Sequence, residues 1–308
     1  IYSHKYNASG KRVYIAFGSK ALGDTLAWFP YALEFKKKHN CHVIVSTFWN
    51  KFFKEKYPEL EFVSPGATVP NLYAMYEIGW YYDDNDQLDR FKQPYDPKQF
   101  TLQQTATNIL GLEYKEIIPK VNYQIKDRPF KEKYICISPH ASASAKYWHH
   151  PTGWQTIINY INNVLGYKVV MISKEKYNDN WETDKLPLQK KFTNIIDATG
   201  DHPIEDIINM LHHSEMYIGV SSGLAWLSWS IKNPVVLISG FSSDWTEFTS
   251  NVERIINKNV CNSCFNNFKL DAGDWNWCPV HKDTPRQFEC TKKILPETVI
   301  EGITRRLS

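Results

Sequence analysis

The chain has 308 residues, net charge +3, 43% hydrophobic and 22% charged residues. At ~100–200 residues per domain this length suits two domains, and the composition is globular, not disordered. The near-neutral balance excludes a protein whose main task is gripping nucleic-acid backbone, and no apolar run approaches the ~20 residues of a membrane span.

Residues 13–17 read as a buried strand followed by Gly18. Residues 21–38 read as a helix, with Leu22, Leu26, Phe29, Leu33 and Phe35 near 3.6-residue spacing and a break expected at Pro30. Then come a strand at 42–46, a helix at 49–57, strands at 60–63 and 73–82, and a helix at 100–110. The segment 115–133 is rich in Lys, Asp and Pro and reads as a linker. Beyond it the alternation restarts. Strands are expected at 134–138, 168–172, 216–219 and 235–238, and helices at 152–165, 204–212, 223–231 and 296–307. Two successive βαβ series predict an α/β fold of two open, mostly parallel sheets with helices on both faces. Ile1 in place of Met, with no charged-then-apolar leader, points to a trimmed chain.

Four segments carry candidate chemistry. Gly18 to Leu26 joins the first strand to the first helix, with Gly23, Asp24 and Thr25 at the turn. A helix N-terminus there suits an anion, and Asp24 serves equally as a favourable charge on the helix dipole. The glycine spacing is neither a dinucleotide fingerprint nor a Walker A loop. Ser138 to Trp148 sets hydroxyls, among them Ser144, beside Lys146, as a phosphate cradle would; a polar surface loop has the same composition. Ile218 to Trp226 places Ser221, Ser222, Gly223 and Leu224 where a strand passes into a helix, either an anion site or a simple serine cap. Lys174 and Glu175, at the end of the 168–172 strand, are candidates for holding a nucleoside or form an exposed turn.

The fourth segment is Cys261-x2-Cys264-x13-Cys278-x11-Cys290. Its first pair has metal-knuckle spacing, and four thiolates suit zinc or iron. His281 is a possible substitute ligand, and disulfides are the alternative in an exported protein. Cys41 and Cys136 stand apart beside strands as core residues. The paired histidines His149/His150 and His212/His213 read as surface or packing residues.

The order of these motifs carries a resemblance. The run from Pro203 to Val236, the Leu22–Leu26 turn and the Lys146–Trp148 step resemble the lipopolysaccharide heptosyltransferases of the glycosyltransferase 9 superfamily. With the late cysteine cluster added, the chain is similar to the bacterial autotransporter heptosyltransferases. One departure stands out: where the lipopolysaccharide enzymes usually carry Asp-Thr-Gly and a His, this chain has Ser221-Ser222-Gly223 and Trp226.

The resemblance implies a GT-B fold of two Rossmann-like domains with the active site in the interdomain cleft. It assigns 1–125 to the acceptor side and 126–308 to nucleotide-sugar binding, with a four-cysteine metal-binding insertion at 261–290. It implies an ADP-heptose donor, transfer to serine hydroxyls of an autotransporter passenger protein, a structural iron at the four cysteines, no catalytic metal, a homo-oligomeric ring (a dodecamer in that family) and action in the cytoplasm. The mechanism expected on this reading makes Asp24 the general base and Lys146 a catalytic cation, with Ser144, Ser221–Leu224 and the strand-end Lys174 and Glu175 as the donor contacts. The competing functions are a lipopolysaccharide core heptosyltransferase and a non-catalytic nucleotide-sugar-binding assembly module.

Overall fold

The computed structural model describes residues 6–84, 88–89, 92–93, 95–176, 192–267 and 277–308. The chain divides into two compact units, Ile1–Tyr123 and Gln124–Ser308. No helix among the described residues is long and apolar enough to cross a membrane.

The first unit holds β1 (Arg12–Phe17), α1 (Leu22–Trp28), α2 (Pro30–His39), β2 (His42–Ser46), α3 (Asn50–Phe53), β3 (Glu61–Phe62), β4 (Ala74–Ile78) and α4 (Leu102–Leu110). Its sheet runs β3-β2-β1-β4, with all pairings parallel. The helix expected over 21–38 is two helices. Proline has no N–H to give the turn before it, so the chain breaks at Phe29 and Pro30 opens α2. Phe29 then packs inward, stacked on Phe53 with centroids 3.9 Å apart. Trp28 Nε1 donates to the Leu102 carbonyl (2.8 Å), which ties α1 to α4. The helix expected over 49–57 shrinks to α3, because Pro58 disfavours helical backbone at Tyr57 and the chain leaves through turn bonds to Phe53.

The second unit holds β5 (Tyr134–Ser138), α5 (Gly153–Asn163), β6 (Lys168–Ser173), β7 (Ile196–Thr199), α6 (Ile204–His213), β8 (Tyr217–Val220), α7 (Gly223–Ser230), β9 (Val235–Ile238), β10 (Val252–Ile255), α8 (Glu289–Lys292) and α9 (Pro296–Leu307). Its six strands are parallel in the order β10-β9-β8-β5-β6-β7. The fully buried strands β5, β8 and β9 are continuous apolar runs, as a sheet covered on both faces requires. Trp148, Trp154, Ile157, Ile161, Val299 and Ile303 fill the layer over one face. Gly219 is glycine for a packing reason: a Cβ there would collide with the Tyr217 hydroxyl lying along the same face.

Both sheets reverse direction beside their first strand. From β1 the chain winds outward through β2 and β3, then crosses to β4; from β5 it winds through β6 and β7, then crosses to β8, β9 and β10. Such a reversal parts the connections on either side and opens a crevice at the strand C-termini, where ligands of open α/β sheets bind. The outer strands are short: two residues in β3, five in β4, four each in β7 and β10.

Candidate active site

In the first unit the crevice lies beyond β1 and β4. Gly18 leaves β1 with its N–H bonded to the Ile78 carbonyl (2.9 Å), and the chain enters α1 four residues on. Asp24 sits in the first turn of α1, half-buried, and its Oδ2 accepts from the Ser19 hydroxyl (2.7 Å). That bond fixes the carboxylate at the strand's C-terminal edge. The neighbouring β2 exit closes on the same turn: Trp49 Nε1 donates to the Lys20 carbonyl (3.0 Å), and Lys20 Nζ lies 5.4 Å from the Phe48 ring centre. Gly23 and Thr25 face inward, and the Thr25 hydroxyl donates to the Ala21 carbonyl (3.1 Å). Both support the turn from behind.

In the second unit three adjacent strands, β8, β5 and β6, deliver the expected donor residues to one edge. After β5, Ser144–Lys146 form a single 3-10 turn that leaves Lys146 half-buried and Ser144 buried. The step is anchored on every side. Tyr147 donates to the Ala141 carbonyl (2.9 Å), Trp148 Nε1 to the Ile294 carbonyl (3.0 Å), and the His149 N–H to Thr291 Oγ1 (3.3 Å). His149 Nε2 lies 2.8 Å from the Ser144 carbonyl, and the ring stacks on Phe288 at 4.0 Å. Burial pushes the His149 pKa down to about 4, the Ser144 carbonyl opposing and Lys292 assisting. After β6, Lys174 and Glu175 are exposed; Glu175 accepts from Ser173 (3.1 Å) and lies 3.1 Å from His140 Nδ1. Burial lowers the His140 pKa, with the Glu175 carboxylate pulling the other way.

After β8, Ser222 caps α7, its side chain accepting from the Ala225 N–H (3.4 Å), with the Tyr217 hydroxyl 3.3 Å away. Gly223 and Leu224 are the first helical residues, partly exposed. Ser221 donates to Glu247 Oε1. Glu247 was not foreseen: it sits between β9 and β10, 5% exposed, with Oε2 bound by Arg254 Nη1 at 2.8 Å. Its separation of 26 residues from Ser221 leaves no local pattern to read.

All six cysteines are free. Cys264, Cys278 and Cys290 are buried and Cys261 partly so. Cys264 and Cys278 pack with Ala145, Phe241 and Phe288, directly under the Lys146 step. Burial, then Glu289, pushes the Cys261 thiol up to about 12; burial, then Cys278, pushes Cys264 up to about 11. Cys290 is also raised, by burial first and then by the other three thiols. Among the described residues, Cys261, His281 and Glu289 bring ligand atoms within 4.8 Å of one another, and Cys261 is the one member of that group from the expected four-cysteine set. Part of the expected module, 268–276, lies outside the described residues. Cys41 and Cys136 are core residues as expected, and Cys136 Sγ lies 3.7 Å from the Met210 carbonyl.

Known proteins match this arrangement. The family model for glycosyltransferase family 9 (heptosyltransferase) matches residues 87–270. The autotransporter heptosyltransferase Aah of Escherichia coli is 36% identical over 303 residues, covering 96% of this chain and 74% of that protein. The crystal structure of the iron-containing dodecameric glycosyltransferase TibC from enterotoxigenic E. coli H10407 superposes with a TM-score of 0.86 at 32% identity, over 98% of this chain and 77% of that one. TibC is also known in complex with ADP-D-beta-D-heptose. The inactive autotransporter heptosyltransferase BimC of Burkholderia thailandensis is 30% identical over 97% of this chain and 70% of that protein. The chain belongs to glycosyltransferase family 9, the heptosyltransferases. Within that family it is of the autotransporter heptosyltransferase type.

Proposed function

We propose that this protein transfers heptose from ADP-heptose to serine hydroxyls of an autotransporter passenger protein, with inversion at the anomeric carbon. The observation that carries the reading is the position of Asp24 and of Lys146 with Ser222–Leu224, each at the direction-reversal crevice of its own sheet. The ADP-heptose complex of the relative TibC supports the donor. Asp24 takes the proton of the acceptor hydroxyl as its oxygen bonds to the anomeric carbon. The bond from that carbon to the diphosphate breaks on the opposite face, and ADP leaves with the electron pair. Lys146 and the N–H groups at the start of α7 stabilise the charge that develops on the diphosphate, the task a divalent cation performs elsewhere. The exposed Lys174 and Glu175 border the adenosine, and Ser144 shapes the cradle from below.

The cysteine module fits a structural metal. Cys261, Cys264, Cys278 and Cys290 supply soft donors, and Cys264 and Cys278 already share one buried cluster. These thiolates would hold the ion and so cross-link the segment, with His281 and Glu289, whose ligand atoms lie within 4.8 Å of Cys261 Sγ, as further donors. Iron follows the relative TibC, as does assembly into a homo-oligomer, TibC being a dodecamer. Action on a passenger before its export places the enzyme in the cytoplasm.

The test is mass spectrometry of a passenger fragment after incubation with the protein and ADP-heptose. A gain of one heptose per modified serine is expected, lost in Asp24→Asn. Transfer to a lipid acceptor alone moves the activity to the lipopolysaccharide core. A second reading, the non-catalytic binding module, is favoured by the inactive relative BimC at 30% identity. It is the outcome if ADP-heptose binds and no ADP is released with either acceptor.

A further inference from the structure

The turn between β8 and α7 contains two serines with different fates. Ser222 is occupied with the α7 N-terminus. Ser221 gives its one proton to Glu247 Oε1, which also accepts from the Ser242 hydroxyl (3.0 Å). The other carboxylate oxygen takes Arg254 Nη1 at 2.8 Å, and Arg254 Nη2 reaches the Phe248 carbonyl (3.3 Å). Glu247 and Arg254 side chains are 6% and 7% exposed, so this is a buried ion pair with fixed geometry. Ser239 completes the cluster, its hydroxyl bonded to the Ser242 carbonyl (3.0 Å). Arg254 is carried by β10, which fixes one partner of the ion pair on the sheet.

A hydroxyl has one proton and two lone pairs. With the proton committed to a carboxylate, the Ser221 oxygen has only lone pairs left to offer. A phosphate oxygen is likewise an acceptor, so Ser221 and a diphosphate present lone pair to lone pair. A sugar hydroxyl is a donor, and it fits. The diphosphate is then left to Lys146 and to the N–H groups of Gly223 and Leu224, while Ser221 addresses the sugar beyond it.

We propose that Ser221 is a donor-sugar contact that accepts a hydrogen bond from a sugar hydroxyl, and that Glu247, held by Arg254, is the positioning residue that gives Ser221 this polarity. The inference rests on the nucleotide-sugar reading above and adds to it a residue pair and a direction for the hydrogen bond. In Glu247→Gln an amide N–H faces Ser221 instead, the hydroxyl turns its proton toward the sugar, and one of its two lone pairs is taken up by the amide, which weakens Ser221 as an acceptor for the sugar hydroxyl.

The experiment is calorimetric titration of the full chain with ADP and, separately, with ADP-heptose. The wild type should bind ADP-heptose more tightly than ADP. Ser221→Ala and Glu247→Gln should weaken ADP-heptose by about three- to tenfold, the worth of one hydrogen bond, and leave ADP affinity within about twofold. Ser221→Ala leaves the Glu247–Arg254 pair intact, so it stays informative if Glu247→Gln folds poorly. A parallel loss of ADP and ADP-heptose binding in Ser221→Ala makes the role structural and overturns the proposal. An unchanged ADP-heptose affinity in Ser221→Ala overturns it as well, with the donor reading still standing. A wild type that binds neither ligand removes the donor reading itself, and this inference with it.

Discussion

Gly153→Ala tests whether the Lys146 step is held from behind as described. A Cβ at Gly153 would lie 2.5 Å from Trp148 Cζ2, 2.6 Å from Cη2 and 2.8 Å from Cε2. Those three atoms belong to one rigid ring that is 1% exposed, hydrogen-bonded to Ile294 and packed edge-on against Trp154 at 5.3 Å. The ring cannot swing aside as a flexible chain end would. Overpacking of this kind costs about 1–3 kcal/mol, and breaking the indole hydrogen bond adds about 1 kcal/mol. Alanine in place of glycine in the first turn of α5 returns at most about 1 kcal/mol of helix propensity. Destabilisation therefore wins, by about 1–3 kcal/mol, read as a lower urea midpoint at unchanged m-value. Trp148→Leu removes the ring, so the double variant should be less destabilised than the two single changes combined by at least about 1 kcal/mol. Additivity within about 0.5 kcal/mol would refute the contact and the anchoring role drawn from it.

Asp24→Asn should keep ADP-heptose affinity and lower turnover by on the order of 10²–10⁴, measured as ADP release. Lys146→Ala should cost on the order of 10²–10³ in turnover, and a loss under tenfold would remove the lysine from charge stabilisation. His149 is neutral in the fold with its pKa near about 4, against ~6.5 unfolded. The stability it contributes is complete above about pH 6.5 and is lost as pH falls from there toward about 4, on the order of 3 kcal/mol in all. Comparing urea midpoints at about pH 7 and about pH 5 in wild type and His149→Gln checks this, since the variant should lose that share of the pH dependence. Cys264→Ser should lower the metal-to-protein ratio seen by elemental analysis and lower the thermal midpoint; an unchanged ratio takes Cys264 out of the ligand set.

Much of the fold was legible because buried parallel strands advertise themselves. The expected strands at 134–138 and 235–238 and the helix at 296–307 coincide with β5, β9 and α9 residue for residue. β7 and β10 escaped notice since each is four residues long with an acidic residue inside, and local pattern cannot tell such an outer strand from a loop. Asp24, Lys146 and Ser222 were readable as strand-to-helix turn residues. Glu247 and Arg254 were not, because their meaning lies in a contact to Ser221 made only once β8, β9 and β10 are side by side. The cysteine spacing pointed to a metal-type segment and His281 was readable as a possible substitute ligand, while the approach of Glu289 to Cys261 is tertiary and invisible to spacing.

The short outer strands have a consequence for how copies of this chain can meet. Each of the four carries one acidic residue: Glu61 on β3, Glu77 on β4, Asp197 on β7 and Glu253 on β10. Glu61 is engaged by His42 Nε2 at 2.6 Å and Glu253 by Arg305 of α9 at 2.7 Å, while Glu77 and Asp197 are exposed. Brief edges that carry charge are poor templates for adding a strand from another molecule. Among the described residues these edges are then guarded against fibre-like growth by strand addition, which leaves helix and loop faces as the better surfaces for a meeting of copies.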